Sequence, residues 1–340
     1  MRMDAGRADR EGHRTSENHA ATVYASRVPN LHVAIATHSP KPLDWTLLGI
    51  AKQTLRPATV VVSADNDRED ILETVLDASA QCKRDLVLVQ RASRGEDGIA
   101  QTRNNAVRAL IMLGVASSDR IITLDADCVP SPLLCEVHER VGRRGEVVVG
   151  SRIDLSDEQS ASFSVANLRA GISPVDVLPE QESLLRRRQR RYTWYARLRP
   201  LGLVKPHKPK LVESNFSVRV DDFVRVNGFD EEQSPGSREG DDMGRRLYAA
   251  GIPPGIAVML ARTYHLYHPS RDPAPRPAAP LSGSGLAPVR LRLTWRCVRG
   301  LDRPIEQEKP IVRICRAGRV VDERVLAMPT LQPPTGTGTR

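Results

Sequence analysis

Aromatic side chains are scarce in this sequence, 4% of 340 residues, while apolar residues at 40% and charged residues at 27% stay in the range of a globular protein. The five cysteines, Cys82, Cys128, Cys135, Cys297 and Cys315, are odd in number and none belongs to a C-x-x-C pair. That spacing suggests neither a disulfide framework nor a structural zinc site. No apolar run approaches the ~20 residues that a membrane-spanning helix needs, and residues 1–20 have no apolar core of the kind a signal peptide carries. The chain reads as cytoplasmic, with peripheral contact to a membrane as the alternative. Acids are missing from 184–212, where seven arginines and three lysines are interleaved with Tyr192, Trp194 and Tyr195. Such a run reads as a solvated face, as a segment over an anionic substrate, or as a surface that touches lipid.

What the chain does have is length for one large or two modest domains and a formal net charge of +9. That charge suits a polyanionic partner, whether nucleic acid, anionic lipid or a phosphorylated small molecule. Residues 1–28 are polar without periodicity and read as a disordered lead. A strand at 31–37 is followed by Leu43, Leu47, Ala51 and Leu55 at helical spacing, a break at Arg56-Pro57, and a second apolar strand at 59–62. Strand, helix and strand within roughly 35 residues make a βαβ unit, which implies a parallel sheet with ligands at the carboxyl ends of its strands. The alternation continues through a helix at 70–81, a strand at 86–89, a helix carrying Ile99, Ala106, Leu110 and Leu113, and a strand at 121–124. Ser131-Pro132 has the N-cap and first-turn signature of a helix with Leu134, Val137 and Val141, and a strand follows at 147–150. The fold class is α/β with an open, mostly parallel sheet.

From 151 the alternation is lost, and 154–183 carry no readable pattern. A strand returns at 213–218, then a short helix from Asp221 that stops at Asn227-Gly228. A helix with Met243, Leu247 and Ala250 on its buried face is closed by Gly251. Ile256, Val258 and Leu260 alternate as a strand leading to His265 and His268. Residues 273–288 read as a Pro- and Gly-rich linker, 289–328 as a small extension with candidate strands at 289–298 and 310–321, and 329–340 as a disordered tail.

Four groups of acids or histidines fall at strand ends or in adjacent loops: Asp65/Asp67, Asp125/Asp127, Glu239/Asp241/Asp242 and His265/His268. In an open α/β sheet those ends share one crevice. The stretch 121–132, IITLDADCVPSP, is an apolar strand running into two carboxylates one residue apart, an arrangement that can present both to a divalent cation. Carboxylates with an added imidazole suit Mg²⁺ or, somewhat better, Mn²⁺, with phosphate oxygens completing the shell. Arg103, in the first turn after a Gly-containing loop, is a candidate phosphate ligand.

In this order the features resemble the metal-dependent, GT-A type nucleotide-sugar glycosyltransferases, family 2 in particular, with a later portion similar to the galactosyltransferase C-terminal region. The resemblance spans 31–268. It implies that Thr37 ends the first strand near the donor, that Asp65 contacts the nucleoside, and that Arg103 and Asn104, within GIAQTRN, contact the donor. Asp125 and Asp127 correspond to the Asp-x-Asp metal motif, Asn215 and its neighbours to an N-F-S element, 227–230 to an N-G-F-D element, and His268 to a C-terminal metal ligand. The family's adjacent Glu-Asp at the start of the acidic helix is interrupted here, since Gly240 takes the second place. The general base then falls to Glu239 or, by a one-residue adjustment, Asp241, with Asp242 as a helix-start or sugar-hydroxyl ligand.

On this resemblance, 29–153 form the nucleotide-sugar-binding half and 154–272 the acceptor-binding and catalytic half of one domain. The expected activity is metal-dependent, inverting transfer of a hexose from a nucleoside diphosphate sugar, UDP-glucose or UDP-galactose, to a hydroxyl of a small polyhydroxylated acceptor. Nucleic acid is not expected as a partner. A lipid-linked acceptor at a membrane face is an alternative. So are a sugar-phosphate nucleotidyltransferase, although 37–42 lack its Gly-rich phosphate loop, and a polyanion-binding protein with a degenerate acidic site.

Overall fold

Strand β1 (Leu31–Thr37) is buried along its whole length and lies at the centre of the molecule, between β2 (Thr59–Ala64) and β4 (Arg120–Asp125), both parallel to it. The computed structural model describes residues 29–92, 98–170, 178–233, 239–268, 295–305 and 309–328. The lead, the linker and the tail read from the sequence lie outside these. Strand β3 (Leu86–Gln90) joins β2 in parallel, so β3-β2-β1-β4 form the core of the sheet. These strands are near-continuous apolar runs because both of their faces are covered. Alternate residues point to opposite faces. Val33, Ile35, Val60 and Val62 pack on one side with α1 (Leu43–Ala51), α2 (Glu69–Gln81) and, further along the chain, α4 (Leu134–Gly142). Ala34, Val61 and Val87 face the other side, against α3 (Ile99–Met112).

After β4 the chain makes β5 (Cys128–Pro130), α4, β6 (Val147–Val149) and β7 (Ser151–Asp154). The stretch without a readable pattern contains two short helices, α5 (Asp157–Ala161) and α6 (Val165–Arg169), and the start of a long one, α7 (Pro179–Leu198). Then come β8 (Phe216–Arg219), α8 (Val220–Arg225), α9 (Glu239–Ala249), β9 (Pro254–Ile256), β10 (Arg262–His265) and a hairpin of β11 (Ile311–Arg316) and β12 (Arg319–Val325). The large sheet has the order β12-β11-β3-β2-β1-β4-β8-β6-β9. All its strands share one direction except β8 and β11, which run antiparallel to both neighbours. The expected open, mostly parallel sheet is what forms. A second sheet, β5-β10-β7, stands beside it.

Several local expectations are corrected. Ser131-Pro132 does not cap α4, which starts at Leu134 after a turn in which Leu134 N bonds to Ser131 O at 3.0 Å. The alternation of Ile256, Val258 and Leu260 is not one strand. The chain turns after Ile256, and Leu260 is 52% exposed. Residues 295–298 are not a strand either; they pack against 226–229, with Cys297 N bonding to Val226 O. The second candidate strand is a hairpin, tightened by positive φ at Ala317 and Gly318, as a two-residue type I′ turn requires. It adds to the edge of β3, satisfying backbone groups that an open edge would leave unpaired. Among the described residues no helix is long and apolar enough to cross a membrane.

Candidate active site

Asp125 is the last residue of β4, and the turn through Ala126 and Asp127 leads into β5. Strand β10 lies between β5 and β7, antiparallel to the first and parallel to the second, which sets His265 opposite both Cys128 and Asp154. Sheet pairing therefore carries a histidine from 138 positions away onto the Asp127 turn. Asp127 Oδ2 lies 3.2 Å from His265 Nε2 and 3.3 Å from His268 Nε2, and His265 Nδ1 lies 3.1 Å from Asp154 Oδ1. Donor atoms of Asp127, His265 and His268 fall within 4.8 Å of one another, and the same holds for Asp125, Asp127 and Cys128.

The electrostatics follow from these contacts. Burial acts to raise the Asp127 carboxyl, but hydrogen bonds from His265 and Cys128 and the His265 charge outweigh it and hold the group at about 2. The bonds to Asp127 and Asp154 lift His265 to about 9. Burial pushes the Cys128 thiol well above its ordinary range, so it stays protonated and gives its hydrogen to Asp127 Oδ1 at 3.3 Å. A carboxylate with two imidazoles is a donor set that fits a divalent cation such as Mn²⁺, and Asp125 adds a second oxygen ligand on the same turn. Asp154 orients the His265 ring as an outer-shell carboxylate does in metal sites.

On the other side of Asp125 lies Arg103, from the second turn of α3. It gives one N–H to Asp125 Oδ1 at 2.8 Å and another to Glu239 Oε2 at 2.7 Å. Burial would strip this guanidinium of charge, but the two carboxylates outweigh burial and raise its pKa. Phe229 places its ring face 5.3 Å below it. Glu239 fares differently. Buried, sharing one cation with Asp125 and close to Glu213, its carboxyl is raised to about 7, burial being the largest cause. Glu239, Arg103, Asp125, Asp127, His265 and His268 thus form one continuous set of contacts at the carboxyl end of β4.

The other residues singled out from the sequence are distributed unequally. Asp65 follows the last residue of β2 and lies next to Thr37, its N–H on Thr37 O at 3.1 Å and its carboxylate accepting from Asn66. The Thr37 hydroxyl is spent on Ser39 O at 2.7 Å and shapes the turn after β1. Asn104, expected to contact the donor, and Asn215, in the N-F-S element expected to shape the sugar and acceptor site, are both sealed from solvent. The Asn104 amide gives hydrogens to Phe229 O and Glu231 and receives one from Phe229 N. The Asn215 amide holds Ser151 O, Ala261 O and His138. Their amide groups are used up inside the protein, where they position the 227–231 turn and the β7–β10 junction. Asp241 lies apart from Arg103 and pairs with Lys210 at 3.1 Å. Asp242 pairs with Arg245 and Arg246, each at 2.7 Å, and Arg246 in turn holds Val226 O and Gly228 O, so Asp242 braces the N-G-F-D turn from within.

Residues 33–195 match the family model "Glycosyl transferase family 2". Over that stretch the chain is similar to the family 2 glycosyltransferases. No curated protein matches the chain. Among solved structures, S. aureus TarS is similar at 14% identity and a TM-score of 0.43, covering 71% of this chain and 37% of that one. Its 1–349 fragment in complex with UDP-GlcNAc gives 14% identity and a TM-score of 0.45, covering 71% and 59%. The same fragment with UDP gives 13% and 0.42, covering 69% and 60%. The chain spans less than two thirds of the length of each of these relatives.

Two residues at this site, Asp154 and Glu213, carry no functional signal in the sequence. The resemblance names His268 and not His265 as a metal ligand, although His265 holds Asp127 as closely. Lys210 is read from the sequence only as one of the basic residues of 184–212. Only pairing across β7 and β10 distinguishes Asp154 from any strand-end acid, and no local pattern marks Glu213.

Proposed function

We propose that this glycosyltransferase moves a hexose, with inversion, from a UDP-sugar, UDP-glucose or UDP-galactose, to a hydroxyl of a polyhydroxylated acceptor, in a reaction that depends on Mg²⁺ or Mn²⁺. The observation that carries this reading is the continuous set of Glu239, Arg103, Asp125, Asp127, His265 and His268 at the carboxyl end of the central strand. Asp125, Asp127, His265 and His268 would hold the cation, which when bound supplies neutralisation of the charge on the departing diphosphate. Asp65 and the Thr37 turn, at the ends of β2 and β1, receive the nucleoside. Arg103 keeps its charge and fixes the Asp125 carboxylate, so the ligand is oriented before donor arrives. A carboxylate beside the start of α9 takes the acceptor proton, a contribution of about 10²- to 10⁴-fold in rate.

The acceptor side supports an anionic group on the acceptor. A cavity of about 410 Å³ is lined by Arg188, Arg191, Tyr192 and Tyr195 of α7 and by Lys208 and Lys210. Among the described residues no carboxylate pairs with Arg188, Arg191 or Lys208, and only Asp241 pairs with Lys210. Burial, then Lys210, lowers the Lys208 ammonium. Crowded cations of this kind favour phosphate or carboxylate. The acidless run is therefore read as the wall of an acceptor site. The decisive measurement is UDP release and transfer with UDP-glucose and UDP-galactose, each with Mn²⁺, Mg²⁺ or EDTA. The reading expects metal-dependent release that Asp127→Ala abolishes, and a KM for sugar phosphates that rises at least tenfold in Arg188→Ala/Arg191→Ala. Release that ignores EDTA and survives Asp127→Ala would refute it.

A further inference from the structure

The start of α9 has no side chain at 240, and Glu213 occupies the space one would take. Its Oε1 accepts the Gly240 N–H at 2.5 Å. A Cβ added to Gly240 would lie 2.5 Å from that oxygen, 2.7 Å from the carboxyl carbon and 2.8 Å from Leu211 O. A side chain at 240 and the Glu213 carboxylate in this position are mutually exclusive. The carboxylate enters from the segment before β8, a remote part of the chain, and stands beside the Arg103–Glu239 pair.

Its neighbours are each committed to a cation. Asp125 and Glu239 take N–H groups from Arg103, Asp241 faces Lys210, and Asp242 faces Arg245 and Arg246. Glu213 is half-buried, forms no ion pair among the described residues, and uses one oxygen on a backbone N–H. A general base needs a carboxylate oxygen that substrate can reach and that no protein cation already holds.

We infer that Glu213 is the general base of the transfer reaction, delivered into the position that Gly240 leaves open. This rests on the glycosyltransferase reading above. The acceptor O–H gives its proton to the free oxygen of Glu213 while the hydroxyl oxygen forms its bond to the anomeric carbon. The bond from that carbon to the diphosphate oxygen breaks, and its electron pair leaves with UDP. Glu239 and Arg103 are then positioning residues. Gly240 is needed because any side chain there would displace the Glu213 carboxylate.

The test is Glu213→Gln, which keeps an amide oxygen to accept the Gly240 N–H and so removes the base while leaving the helix start bonded. The expected result is a kcat lower by about 10²- to 10⁴-fold with unchanged melting temperature and an unchanged KM for the UDP-sugar. The rise of rate with pH on the acid side of the wild-type profile should disappear. The double variant Glu213→Gly/Gly240→Asp, which returns a carboxylate to the same space from α9, should recover at least tenfold of the lost kcat. If Glu213→Gln keeps wild-type kcat while Asp127→Ala is inactive, the inference falls and the glycosyltransferase reading stands. A lower kcat with the acid limb intact also overturns it, because that is the signature of a positioning role. If the wild-type protein shows no metal-dependent transfer from any UDP-sugar, the reading fails and the assignment of Glu213 goes with it.

Discussion

Replacing Glu239 with glutamine should stabilise the protein at alkaline pH and leave it unchanged in acid. The carboxyl rises from 4.5 to about 7 on folding, chiefly because it is buried and secondarily because Glu213 and Asp125 lie near; Arg103 opposes both. A folded-state pKa above the unfolded one means that the native protein binds the proton more tightly. Stability from this group is therefore fully present below about pH 4.5 and is lost as pH rises through 7. At about 1.4 kcal/mol per unit, the shift corresponds to about 3 kcal/mol at pH 8. Glutamine resembles the protonated carboxyl in shape, keeps an oxygen for the Arg103 N–H, and has no charge to lose. Chemical denaturation of wild type and Glu239→Gln across pH 4.5 to 8.5 should give coincident stabilities at the acid end and a gap opening to about 3 kcal/mol at pH 8. Thermal melts should show several degrees of difference there, at roughly 2–4 °C per kcal/mol for a domain of this size. A variant less stable than wild type at pH 8, or a gap that does not change with pH, would refute the reasoning. The protein would then be shown to hold Glu239 as a satisfied ion-pair partner of Arg103 and not as a strained one. Strain of this kind is expected where a site binds charged substrate.

Three further outcomes are expected. Arg108→Met should cost about 3–5 kcal/mol in urea denaturation, because it leaves Glu231 charged and unpaired with no exposure and takes donors from Gly300 O and Leu301 O. Asn215→Ala should cost about 1–3 kcal/mol for each buried group left unsatisfied while leaving UDP affinity within error, since its amide bonds only Ser151, Ala261 and His138. Asp154→Asn should weaken Mn²⁺ binding about 10- to 100-fold by calorimetry, because the carboxylate at His265 Nδ1 is what orients that ring.

The parallel core was legible because it depends on local pattern. Buried strands such as 31–37 and 59–62 are apolar runs, and the helices between them repeat every three to four residues. The polar face of α3 was harder to read. Arg103 and Asn104 read from the sequence as donor ligands and Arg108 carries no signal, yet all three are buried, because their partners Glu239, Glu231 and Leu301 arrive from remote segments. Helix α7 leaves no pattern in the sequence for the opposite reason. Only Leu185 and Tyr192 of its twenty residues are buried, too few to establish a period.

The sequence by itself determined that β4 ends at Asp125 with Asp127 in the turn after it, and that acids and histidines follow other strands, since a strand's end is a local event. Only the tertiary structure decided which of these groups meet. His265 reaches Asp127 through the β5-β10-β7 pairing, Asn104 and Asn215 are consumed in packing, and Glu213 fills the space beside Gly240. Each of these depends on contacts between residues tens to more than a hundred positions apart, and side-chain chemistry read along the chain does not encode that distance.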